Sequence, residues 1–240
     1  MKKAKFQSFL SNKAIKFVAR MNLSWRVIGF AITSLILVAC TTDADDSFDA
    51  ASVCPTEGTN AYGMPNRGTF IDERDGQEYR YTTIGDQVWM AQSLSYEAAG
   101  SFCYDSLPEN CEKYGRLYGG EYIKQLCPTG WRMPMVSDYE ELMVDVDNKR
   151  DILYAGYWEN IKDTVNLNEC GMALRAGGFA YLNEFREKNQ TVSFWTGEID
   201  SNYDNNDYFF TFYVEYGGYM HVSSSHWIET MKYYIRCIKE

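Results

Sequence analysis

The segment Glu198-Ile-Asp-Ser-Asn-Tyr-Asp-Asn-Asn-Asp207 is dense in oxygen donors, the ligands a hard cation such as calcium takes. Glu198, Asp200, Asp204 and Asp207 are its candidate metal ligands. Counted from Asp200 as an EF-hand loop, Asn202 and Asp204 fall where donors belong. Asn205, however, stands where that loop needs glycine, and Thr211 where it needs a closing glutamate. The segment therefore reads as a solvated acidic hairpin loop, with an irregular calcium site as the alternative. Trp195, Tyr203 and Trp227 surround it in sequence and are the candidate ligand-binding residues, because aromatic faces stack on sugar rings and anchor interfaces. Strand-rich folds also fill their cores with such residues, and alternation alone does not say which face points outward.

Carriers of covalent or acid–base chemistry are fewer. The two histidines, His221 and His226, have no Gly-x-Ser-x-Gly partner and read as exposed loop residues, so no catalytic residue is assigned. No cysteine pair has C-x-x-C spacing, which argues against a thiolate zinc site. Six cysteines, Cys54, Cys103, Cys111, Cys127, Cys170 and Cys237, instead suggest disulfides, with 15 pairings open to them. Cys103 and Cys111 enclose a turn-rich stretch that a local bridge can close. Cys127 follows a short helix and Cys237 sits in the last strand, so their pairing would fasten the chain's end to its middle. Cys54 and Cys170 remain as a third pair.

The seventh cysteine, Cys40, lies at the end of Val27–Ala39, an apolar run shorter than the roughly 18–20 residues that span a bilayer as a helix. Leu37-Val-Ala-Cys40 resembles the lipobox of bacterial lipoproteins, which implies a lipid on the Cys40 thiol and a membrane as partner. Residues 1–39 read as the signal segment, with Met21 an alternative start, and residues 40–67 as a lipid-anchored acidic tether. The implied location is the cell envelope, at the outer membrane or cell surface.

The chain of 240 residues carries a formal charge of −10, and residues 1–39 hold seven basic residues and no acid, so the remainder carries −17. A broad basic surface for nucleic acid is thereby excluded. With 45% hydrophobic residues the chain has ample material for a core.

Period-2 alternation and an Asp75-Gly76 turn predict a hairpin over 69–84, followed by a strand at Val88–Met90. A short helix is expected over Gly120–Leu126. Ser137 and Glu140 have capping-box spacing, and Tyr139, Leu142, Met143 and Val146 form the apolar stripe of the helix that follows. From 174 onward, strands are expected at 179–182, 191–196, 208–216, 219–223 and 233–238, with Gly217-Gly218 as a hairpin turn. Two short helices and a hairpin-rich C-terminal half make the fold class α+β. Trp89 and Trp131 are expected in the core, and Arg236 is expected to pair with a carboxylate.

Gly68-Thr-Phe-Ile-Asp72, Ile84-Gly-Asp-Gln-Val-Trp-Met-Ala-Gln-Ser-Leu94, Lys113-Tyr-Gly-Arg-Leu-Tyr118, Cys127-Pro-Thr-Gly-Trp-Arg-Met-Pro134 and Ile235-Arg-Cys237 together resemble the Fibrobacter succinogenes major paralogous domain. The resemblance runs over 68–240. It is associated with exported and lipid-anchored bacterial proteins and implies a C-type-lectin-like fold shared distantly with formylglycine-generating enzymes. Those enzymes use two neighbouring cysteines in the C-terminal half, where this chain offers Cys170 and Cys237. The expected function is thus non-enzymatic binding of a glycan or an envelope protein, with no cofactor unless calcium. An enzyme of the formylglycine-generating type and a structural envelope component are the alternatives.

Overall fold

A computed structural model of the chain describes residues 48–147, 149–159, 168–200, 208–215, 219–225 and 230–240. The expected hairpin forms as β1 (Arg67–Ile71) and β2 (Glu78–Ile84), and β3 (Gln87–Met90) follows across the turn at Gly85. The C-terminal β11 (Ile238–Lys239) inserts between β3 and the two-residue β4 (Trp131–Arg132), giving an antiparallel sheet in the order β1-β2-β3-β11-β4. β5 (Phe179–Tyr181), β6 (Glu184–Arg186) and β10 (Met231–Lys232) make a second sheet. The third holds β7 (Val192–Ile199), β8 (Phe209–Glu215) and β9 (Tyr219–Ser225). With helices α1 (Ala50–Val53), α2 (Pro108–Tyr114) and α3 (Val136–Asp145), the architecture is α+β, as its pattern suggests.

Three local expectations are corrected. α3 begins at Val136, one residue before Ser137, and the acid that serves its first turn is Asp138 rather than Glu140. Arg132 explains the choice. Its guanidinium grips Asp138 through two hydrogen bonds, 2.6 and 2.8 Å, while Asp138 Oδ2 also accepts the Met135 amide at 2.6 Å. A bidentate charged pair outweighs a serine cap. The predicted stripe nevertheless holds, with Tyr139, Leu142 and Val146 fully buried.

The stretch between Cys103 and Cys111, read as turn-rich, contains the start of α2, which runs on past Cys111 to Tyr114. Pro108 at the first helical position, Glu109 in the first turn and Lys113 in the last are ordinary helix signals compressed into seven residues. The single strand expected over 233–238 is instead shared among several partners. Tyr233 bridges Tyr118, Tyr234 bridges Phe194, and the Ile235 and Cys237 carbonyls accept from Leu94 and Met90. Each residue meets a different element, so no one ladder extends.

The boundary at Gly68 also moves. Asp49 caps α1 through its side chain, Cys54 is 2% exposed, and the Asn66 carbonyl accepts from Thr83 at 2.8 Å. Residues from about 49 therefore belong to the folded unit. All three disulfides match expectation: Cys54–Cys170, Cys103–Cys111 and Cys127–Cys237.

Aromatic stacking joins the sheets. Trp89 on β3 lies 5.1 Å from Tyr139 of α3, and Tyr139 stacks at 4.2 Å on Phe212 of β8. Trp89 donates its indole N–H to Gln87 Oε1, and Gln87 Nε2 donates to the Asp138 carbonyl, so the buried polar edge is satisfied. Trp131 stacks on Phe70 at 4.3 Å. Both tryptophans are core, as expected.

Candidate functional site

The acidic segment divides. Asp204, Asp207 and the aromatics Tyr203 and Trp227 lie outside the described residues. Glu198 turns its carboxylate to α3, where Oε2 accepts the Val136 amide at 3.2 Å, and this engages the group as a helix acceptor. Asp200 is buried at the end of β7. Among the described residues no three potential metal ligands cluster. Trp195 is corrected from ligand contact to core. It is 0% exposed, donates its indole N–H to the Tyr118 carbonyl at 2.8 Å, and packs 4.8 Å from Tyr233.

The face of the sheet that carries Trp195 does form a depression farther on, at β8 and β9. In β8 and β9, Thr211 pairs with Ser223 and Tyr213 with His221, and period-2 geometry puts all four on one face. With Ser224, Met231 and Tyr233 they line a groove of about 290 Å³. Tyr213 is held at both ends: its hydroxyl donates to Glu187 Oε2 at 2.7 Å, and His221 lies 5.4 Å from its ring. Burial and the Glu187 carboxylate hold the Tyr213 phenol neutral well above the usual range. The groove thus offers a fixed aromatic face bordered by hydroxyls and an imidazole. His221, expected in a loop, stands on a strand within it.

A second depression, of about 190 Å³, lies between β2, the residues after β3, α2 and the segment around Ala173. Arg80, Lys113, Arg175 and Arg236 line it, with Glu112 the one acid among the lining residues. The expected carboxylate partner of Arg236 is not there. This side chain is 2% exposed, donates to the Met172 and Met90 carbonyls and to Ser93 Oγ, and makes no ion pair among the described residues. Gly115 lets the end of α2 close one wall: its φ is 88°, and a Cβ there would come within 2.6 Å of Ser93 Cβ. Ala173, at the opposite wall, is held at φ 54°, a left-handed conformation that is uncommon for a residue with a side chain. Sequence reasoning missed this pocket because its cations come from four separate segments. The available signal was Arg236 itself, a charge placed between the buried Ile235 and Cys237.

These features define an α+β domain tied by disulfides, with the cysteine chemistry of an oxidising, exported setting. No helix among the described residues is long and apolar enough to cross a membrane. Residues 79–239 match the model of the Fibrobacter succinogenes major domain, and the chain belongs to that family. No curated protein and no solved structure matches it.

Proposed function

We propose that the protein is a non-enzymatic, lipid-anchored component of the cell envelope whose domain, lectin-like in its resemblance, binds a glycan in the groove between β8, β9 and β10. The carrying observation is the face formed by Thr211, Tyr213, His221 and Ser223. A tyrosine ring gives a sugar an apolar surface for its C–H groups, and the surrounding hydroxyls and imidazole supply the few oriented polar contacts that fix it. The groove is near the lower end of the size range of small-molecule sites, about 300–1,000 Å³, which suits one or two sugar rings. The cysteine chemistry supports binding over catalysis, since Cys170 and Cys237 are each locked in a bridge to another residue. The lipid on Cys40 and the outer-membrane location rest on the lipobox resemblance, outside the described residues.

The test is a screen of the full chain, in neutral detergent, against envelope polysaccharides and glycan fragments, run with calcium and with chelator. At least one saccharide should be retained, and Tyr213→Ala should abolish its retention while leaving the melting profile cooperative. Retention that survives Tyr213→Ala would place recognition elsewhere. Labelled fatty acid should enter the protein and should be lost in Cys40→Ala. Free thiols in the folded, unreduced protein would favour the enzymatic alternative.

A further inference from the structure

The arginine-lined cavity is independent of the groove and has an electrostatic problem that the protein itself leaves unsolved. Burying an unpaired guanidinium is costly, and proteins ordinarily answer it with a carboxylate. Arg236 has carbonyls and a serine hydroxyl instead, and its Nε–H has no hydrogen-bond partner. Nearby cations aggravate the burial rather than relieve it. Arg175 and Arg80 both disfavour the charged form, and burial foremost drives the Arg236 pKa down to about 9. Neither Arg80 nor Arg175 makes an ion pair among the described residues. Four cations against the single Glu112 face one cavity, in a chain whose formal charge is −10.

We propose that this cavity is a binding site for a small oxyanion group, a carboxylate, phosphate or sulfate, whose charge completes the Arg236, Arg175 and Arg80 cluster. Guanidinium groups suit this class because their planar forks donate in parallel to two oxygens. At about 190 Å³ the space fits an anionic head group rather than a whole oligosaccharide. The lining also contains Gln77, Gln92, Ser93 and Ser95, neutral polar residues able to take the oxygens the arginines leave. The walls are pre-set: the Cys103–Cys111 bridge anchors α2 on one side, and Cys54–Cys170 anchors the Ala173 segment on the other. Preorganisation of this kind lowers the cost of binding.

The experiment follows the melting temperature of the full chain in neutral detergent, at constant ionic strength, as sodium glucuronate, phosphate, sulfate or glucose is added. At least one oxyanion should raise it saturably, as a ligand selective for the folded state must, and glucose should not. Which of the three acts most strongly identifies the group. Arg175→Gln and Arg80→Gln are nearer the surface than Arg236 and should fold. Each should weaken the apparent affinity by about tenfold or more, the loss expected for one charged hydrogen bond. Tyr213→Ala should leave the oxyanion response intact, so failure here and failure of the glycan reading are separable. No rise with any oxyanion, or an equal rise in Arg175→Gln and the unsubstituted protein, would overturn the proposal.

Discussion

The five-stranded sheet and the late β7-β8-β9 sheet draw on the same aromatic-rich composition but are secured differently. The first sheet and its surroundings hold every bridged cysteine, together with the Arg132–Asp138 pair and the Trp89–Gln87–Asp138 chain of hydrogen bonds. The late sheet contains no cysteine and is fastened by packing, chiefly Phe212 against Tyr139 and Trp195 against Tyr233. On β8, Phe212 supplies the packing on α3, while Thr211 and Tyr213 on the other face supply the groove, which continues from the buried Trp195 of β7. The difference teaches a division of labour: residues that fix the fold sit where their partners are few and specific, while the groove opens at β8 and β9, beyond the part of that face which Trp195 commits to the core.

If the covalent ties matter as described, removing the long Cys127–Cys237 tie should be the largest of these changes. Replacing Cys127 and Cys237 together with alanine, which opens a loop spanning 110 residues, should cost about 5 kcal/mol on the chain-entropy account. The Cys103 and Cys111 pair, separated by 8, should cost about 2.5 kcal/mol. Denaturant unfolding of the two double variants checks the order, and equal losses would break the contrast between long and local closure.

Within the late sheet, Trp195→Ala should cost about 3–5 kcal/mol, the usual range for emptying a buried aromatic site. Tyr213→Ala, on the same face but only half-buried, should cost about 1 kcal/mol, with loss of binding as its main effect. Comparable destabilisation by both would erase the distinction between the core end of this face at β7 and its groove end at β8 and β9.

Next in size, Asp138→Ala should lose about 1–2 kcal/mol, since it removes the acceptor at the start of α3 and strands Arg132. Ser137→Ala should be nearly neutral, because the helix begins before it. The smallest effect concerns Asp145, whose side chain packs over Gly85 and whose carboxyl is raised by burial and by the charges of Glu141 and Asp86. A carboxyl that holds its proton more tightly folded than unfolded contributes stability at low pH, and that contribution is lost as pH rises through the folded value. Asp145→Asn should therefore be more stable than the unsubstituted protein at neutral pH. The advantage should shrink below about pH 4, near the ordinary aspartate value, in melting curves taken across that range.

Sequence legibility follows the same division. The Asp75-Gly76 hairpin, the α3 stripe and the local Cys103–Cys111 bridge were readable because each depends on spacing within the chain. Cys127–Cys237 was instead read from the place of the last strand, and Cys54–Cys170 was the pair that remained. The Gly217-Gly218 turn lies outside the described residues. Asp138 was overlooked as the cap because its advantage comes from Arg132, six residues away, and α2 because seven residues carry too little periodicity to stand out. Trp195 was misread as a ligand contact because nothing in alternation distinguishes the two faces of a sheet until its packing partner is known. The arginine cavity was least legible, since Arg80, Arg175 and Arg236 come from separate segments of the chain that only the fold places around one cavity.

The central claim, recognition of a glycan in the groove over Tyr213 of the late sheet, is tested most directly by fluorine NMR. The full chain would be labelled with 3-fluorotyrosine and the Tyr213 resonance assigned by its loss in Tyr213→Phe. Titration with the saccharide retained in the screen should shift that resonance saturably, in step with retention, and leave Tyr79 unchanged beside the arginine cavity. A Tyr213 resonance that stays fixed while the saccharide binds would contradict the account.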